Sequence, residues 1–203
     1  MSLERPWEKA FDQLRRELEK AYETVEKPHA DAQRVQAQSG GVNIWQYPQF
    51  AAARQGVPVA VTIGEFPIGA VDAIGGSDNV EFLQLSVLRP LGLTITVRHE
   101  GFADRFFKAV KIEWEFQTGN PEFDRKYYIV DIRTEKDKQL ARDPRFQEQV
   151  EKLEPFASVV LSNRGAHWSQ SIEDGSQLTF PYVDDRLGRL TDLAALAVEI
   201  TQP

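Results

Sequence analysis

The chain has 203 residues, 41% of them hydrophobic and 27% charged, with 13 glycines and 11 prolines. That is globular composition, long enough for an ordinary core without a metal or disulfide staple. Its formal charge of −7 argues against general nucleic-acid binding, which needs a basic footprint to neutralise phosphates, and against electrostatic attachment to anionic lipid. With no cysteine at all, thiol nucleophiles, cysteine-ligated metals and disulfides are excluded together.

The first segment predicts a long helix over Leu3–Glu26. Leu3, Trp7, Phe11, Leu14, Leu18, Ala21 and Val25 recur every three or four residues and share one stripe. Arg15 and Glu19 stand at the spacing of a helical ion pair. The stripe has two uses: it lies on the sheet of its own domain, or it seams with a second copy, making Trp7, Phe11, Leu14 and Leu18 a homodimer interface. Pro28 breaks the pattern, His29–Gln38 reads as a polar linker, and Ser39-Gly40-Gly41 ends it. The division is then an N-terminal helix and linker over 1–38 and a body over 39–203, as one core or as two lobes at 39–116 and 117–203.

The body turns to strands. Val57, Val59, Val61 and Ile63 alternate with smaller or polar residues, and Val42–Tyr47 and, more weakly, Phe66–Ile74 are further candidates. Leu83–Leu88 and Leu93–Arg98 alternate on either side of Arg89-Pro90-Leu91-Gly92, which predicts a β-hairpin. A short helix over Gly101–Ala109 and a strand over Val110–Gln117 follow, then a turn at Gly119-Asn120-Pro121 and a strand over Tyr127–Ile132. Lys136–Leu140 and Arg145–Leu153 read as helices, with Asp143 as cap and Pro144 as first helical residue between them. Strands at Ala157–Leu161, His167–Ile172 and Gln177–Phe180 precede a last helix capped by Asp184 or Asp185, with Leu187, Leu190, Leu193 or Ala194, and Ala197 facing the core. Strands punctuated by helices, without regular βαβ alternation, predict an α+β fold: mostly antiparallel sheet with a long N-terminal and a C-terminal helix.

No catalytic constellation stands out. His99 has Glu100 and Asp104 nearby but no second histidine at ligand spacing, so no metal site is predicted. His29 reads as solvated and His167, beside Trp168, as structural. No G-x-S-x-G or S-x-x-K pattern supports a serine nucleophile. Gly75-Gly76-Ser77-Asp78 lacks the lysine and helix of a phosphate loop, and Glu113 and Glu115 share what reads as a wet strand face. No cofactor is called for.

One segment is dense in residues with fixed conformational roles: Thr118-Gly119-Asn120-Pro121-Glu122-Phe123-Asp124-Arg125. Phe123 reads as an apolar plug, Asp124 as an acceptor for backbone N–H groups, and Arg125 as the partner of a carboxylate. The corner either braces two strands or presents Thr118, Asn120, Asp124 and Arg125, with His99, to a ligand. This motif also carries a resemblance: Phe82–Val198 resembles a group of uncharacterised bacterial proteins that share T-G-[DN]-P-E-F-D-R. In these a strand and short helix precede the motif, and a strand, a helix pair, a small strand set and a closing helix follow. The resemblance implies this order of elements and no particular activity; many members carry a hydrophobic segment upstream, where this chain has its charged amphipathic helix.

The functional expectation is a non-enzymatic binding or interaction module. The alternative is a small-molecule-binding protein or enzyme using the Thr118–Arg125 corner. With no signal peptide or apolar span in view, the expectation is a cytoplasmic protein partnered by itself or by another protein, not by nucleic acid, peripheral membrane contact being left open.

Overall fold

The structure, a computed structural model, describes residues 6–24, 45–67, 79–99, 116–172 and 175–201. Helix α1 spans Pro6–Ala21. Its predicted stripe is buried in the chain's own core: Trp7, Phe11, Leu14 and Leu18 are at most 4% exposed and join one continuous apolar cluster with the sheet and the last helix. The four side chains are therefore core rather than a seam for a second copy. The predicted Arg15–Glu19 pair forms on the wet face at 3.9 Å. The helix stops short of Glu26 because Glu23–Thr24 form a short strand, β1, whose backbone finds partners at Ala53 and Ala52.

Strands β2 (Trp45–Arg54), β3 (Val57–Pro67) and β4 (Asn79–Val87) form a meander. The β2–β3 turn places Gln55 and Gly56 at positive φ. Strand β5 is Ile95–His99. Helix α2 (Pro121–Lys126) leads into β6 (Tyr127–Val130), and α3 (Glu135–Arg142) and α4 (Pro144–Lys152) form the predicted helix pair. Asp143 caps α4 through the Arg145 N–H with Pro144 in the first turn, as the sequence indicates. Strands β7 (Ser158–Ser162) and β8 (Gly165–Ser171) make a hairpin, and α5 (Phe180–Thr201) closes the chain. All eight strands among the described residues lie in one antiparallel sheet of order β1-β2-β3-β4-β8-β7-β5-β6. The fold is α+β, with a helix at each end of the described chain.

The sheet has two unlike faces. Val59, Val61, Ile63, Leu85, Trp168, Val159 and Val97 share the apolar core with α1, α4 and α5. Alternate positions place Thr62, Gln84, Ser169, Ser158, Arg98 and Tyr128 opposite one another in a single cross-strand row on the other face. On α5, Val183, Leu187, Leu190, Ala194, Ala197 and Thr201 recur every three or four residues and are all buried, as is the predicted Leu193.

Three expectations are corrected. Leu83–Leu88 and Leu93–Arg98 do not pair: β8 takes the β4 edge and β7 takes the β5 edge, so the Pro90-Gly92 segment crosses over the β7–β8 turn, where the Leu91 N–H donates to the Ser162 carbonyl at 3.3 Å. Gln177–Phe180 is a turn rather than a strand, and the last helix begins at Phe180. Asp184 therefore sits inside the helix and bonds to Tyr22 and Arg54 instead of capping it. The predicted elements over 29–38, 101–109 and 110–115, and the parts of Val42–Tyr47 and Phe66–Ile74 that fall at 42–44 and 68–74, lie outside the described residues.

Candidate functional site

The Thr118–Arg125 corner is a closed hydrogen-bond network. Asp124 accepts from the Thr118 N–H at 3.0 Å, the Thr118 hydroxyl at 2.7 Å and the Gly119 N–H at 3.2 Å. The Thr118 hydroxyl accepts in turn from the Asn120 N–H at 3.1 Å. Asn120 caps α2 by accepting from the Glu122 and Phe123 N–H groups, and its amide donates to Gln147 on α4 at 2.7 Å. Phe123 is buried against Tyr127. The segment is thus a capped helical turn bolted to α4, where the sequence suggested only a turn; Gly119 adopts φ 90° to begin it. Arg125 is exposed and, among the described residues, pairs with no carboxylate.

His99 lies opposite Tyr127 across the β5–β6 ladder, its ring edge-on to the tyrosine and its Nε2 3.7 Å from Glu154 Oε1. The Tyr127 hydroxyl donates to the same Glu154 oxygen. Burial, followed by that bond to a carboxylate, pushes the Tyr127 hydroxyl well above its ordinary value, so it stays a donor. The five predicted ligand-facing residues therefore divide: Thr118, Asn120 and Asp124 bond into the corner, Arg125 projects outward, and His99 joins Tyr127 and Glu154.

A serine and a histidine do meet elsewhere. Ser86 on β4 and His167 on β8 are register partners, with Oγ 2.9 Å from Nδ1, and both are buried. Burial pushes the imidazole down to about 4, with Arg164 adding to the effect. A base this weak, with no carboxylate bonded to its ring among the described residues, cannot draw a proton from serine near neutrality. The pair is a neutral hydrogen bond inside the sheet. Eighty-one residues separate its members, so no local motif could have announced it.

Among the described residues, an open cleft of about 510 Å³ lies beside α5, lined by Arg54, Phe180, Asp184, Gly188, Arg189 and Asp192 among others. At its base the Tyr22 hydroxyl and Arg54 Nε both donate to Asp184 Oδ1, at 2.6 and 2.9 Å. Burial raises the Asp184 carboxyl, but the bonds from Arg54 and Tyr22 outweigh it and hold the group below the usual carboxylate value. Gly188 faces the guanidinium: a Cβ there would lie 3.2 Å from Arg54 Nη2. Farther along the wall, Arg189 donates from Nε to Asp185 at 2.8 Å and from Nη1 to the Lys152 carbonyl at 2.7 Å. Sequence reading missed the cleft altogether, since Arg54 and Asp184 are 130 residues apart.

Among the described residues no group of three histidine or acidic side chains could hold a metal ion, and no helix is long and apolar enough to cross a membrane. In class the fold is an α+β domain built on one antiparallel sheet. No protein-family model and no curated protein matches the chain. Among solved structures, the crystal structure of the mycobacterial trehalose monomycolate transport factor A, TtfA, is similar in fold, with a TM-score of 0.55 over 98% of each chain at 10% sequence identity.

Proposed function

We propose that the chain is a non-enzymatic binding module. The observation that carries this reading is the fate of its reactive-looking groups. Thr118, Asn120 and Asp124 are committed to bonds within their own turn and, for the Asn120 amide, to Gln147, and the Ser86–His167 pair is buried, neutral and without a bonded carboxylate among the described residues. A hydrolytic or transfer site needs a nucleophile or base with lone pairs to give and a properly placed partner. In the mixed-charge cleft beside α5, Asp184 is held by Arg54 and Tyr22 and Asp185 is paired with Arg189. The apolar stripe of α1 belongs to the core, so partners other than a second copy through that helix are favoured.

The reading is tested by incubating the full chain with p-nitrophenyl acetate, p-nitrophenyl phosphate and p-nitrophenyl glucosides. The expected rates match those of the heat-inactivated protein. Turnover that disappears in His167→Gln would overturn the reading.

A further inference from the structure

The cleft beside α5 points to a particular kind of ligand. Arg54, whose side chain is 18% exposed, donates from Nε to Asp184 and interacts with the Tyr22 hydroxyl, while its Nη groups face the Gly188 notch. Asp184 receives both of its bonds on Oδ1, which leaves Oδ2 as an acceptor. Asp192 also lines the cleft and has no ion pair among the described residues. Arg189 and Asp185 are already paired with each other. Positions 184, 188 and 192 fall one helical turn apart on α5, so the two carboxylates flank the Gly188 notch into which the guanidinium is set.

Charge balance narrows the occupant. The lining holds two arginines and three aspartates, a net of one negative charge. An anion on the Arg54 Nη groups would meet carboxylates on either side, and a cation on Asp192 would meet Arg54. A neutral molecule that both donates and accepts satisfies every open group at once. Phe180 and Pro181 add an apolar wall, against which the C–H face of a saturated ring can pack. The volume of about 510 Å³ falls in the range of small-molecule sites. We infer that this cleft binds a neutral polyhydroxylated ring, a saccharide, with Arg54 donating to, and Asp184 and Asp192 accepting from, its hydroxyls. The inference rests on the binding-module reading above and gives that reading a site.

The test is a ¹H–¹⁵N titration of the full chain with maltose, with inorganic phosphate, ethylammonium and N-acetylglycinamide as parallel probes. Shifts with maltose are expected at Arg54 and along Asp184–Asp192, with affinity falling about tenfold or more in Asp192→Asn, an exposed change that leaves the core intact. Gly188→Ala, which pushes the guanidinium aside, is expected to weaken maltose in the same way. No response to maltose, a response unchanged in Asp192→Asn, or a stronger response to any of the other three probes overturns the inference. The two readings fail separately. Absence of maltose binding removes the saccharide site and leaves the turnover test untouched, whereas cleavage of a bound saccharide removes the non-enzymatic reading and keeps the site.

Discussion

Gly165 and Val87 approach so closely where β8 meets the end of β4 that a Cβ on Gly165 would lie 1.9 Å from the Val87 carbonyl oxygen. Gly165 also holds φ at 130°, a region that side chains disfavour. The contact is backbone against backbone, so no rotamer change relieves it. Gly165→Ala is expected to destabilise the fold by at least about 3 kcal/mol, measured as a drop in the urea midpoint. Gly92→Ala is the comparison: its φ is 67° but nothing lies within 4 Å of its added Cβ, so its penalty is the smaller one of backbone strain alone.

That same contact explains which parts of the fold the sequence conveyed. Period-two runs such as Val57–Ile63, and the three-and-four spacing of α1 and α5, record which face each element buries, so element types and core residues were legible. Strand partners were not. The runs beside Pro90 carry the local signature of a hairpin, yet β7 and β8 occupy both edges that the hairpin would have joined. Only Gly165, permitting the crossing, marked the arrangement, and a lone glycine in sequence does not say what passes over it. The candidate site was illegible for a related reason. The residues around Thr118 are near neighbours and announce themselves, whereas Tyr22, Arg54 and Asp184 are assembled from three distant elements. Local density of polar residues marked a brace, not the cleft.

His167 makes stability depend on pH. Its imidazole titrates at about 4 in the folded chain against an ordinary 6.5, so the unfolded chain takes up a proton first as pH falls. The contribution is complete above pH 6.5 and is lost progressively from there down to about 4. For a fully buried group the loss amounts to roughly 3 kcal/mol. Urea midpoints of the wild type are expected to fall across that window, and those of His167→Gln, which keeps a hydrogen-bonding group toward Ser86, to show a flatter profile. An identical slope in the variant would show that other groups carry the dependence.

Asp184 acts at lower pH with the same sign. Its carboxyl lies below the ordinary 3.8 because the Arg54 and Tyr22 bonds outweigh burial. A depressed carboxylate stabilises the fold where it is ionised, above the unfolded value, and loses that contribution as pH falls through its folded value. The stability gap between wild type and Asp184→Asn is therefore expected to be widest near neutrality and to close under strongly acid conditions. Tyr22→Phe, which removes one donor from the same oxygen, is expected to cost about 1 kcal/mol at neutral pH.

Gly188→Ala separates helix stability from the state of the cleft. Glycine inside a helix is worse than alanine by up to about 1 kcal/mol, and the new Cβ meets the end of a flexible side chain, Arg54 Nη2 at 3.2 Å, rather than backbone. The guanidinium can give way. Thermal stability is therefore expected to hold or rise slightly, even though the Arg54–Asp184 bond of 2.9 Å is disturbed. A clear loss of stability would show instead that the ion pair holds α5 to β2 more firmly than the helix gains from alanine.

The stripe on α1 yields a prediction about assembly as well as stability. Leu14 and Leu18 are fully buried by the chain's own sheet and last helix, so Leu14→Ala opens a cavity and is expected to cost about 2–5 kcal/mol. Were the stripe a seam between copies, that loss would depend on protein concentration, because subunit association would contribute to the measured stability. With the stripe inside one chain, the unfolding midpoint of both proteins is expected to stay constant over a hundredfold dilution, and light scattering on the eluted full chain to give the mass of a monomer. A midpoint that rises with concentration, together with a dimer mass that Leu14→Ala abolishes, would place the helix at an interface after all.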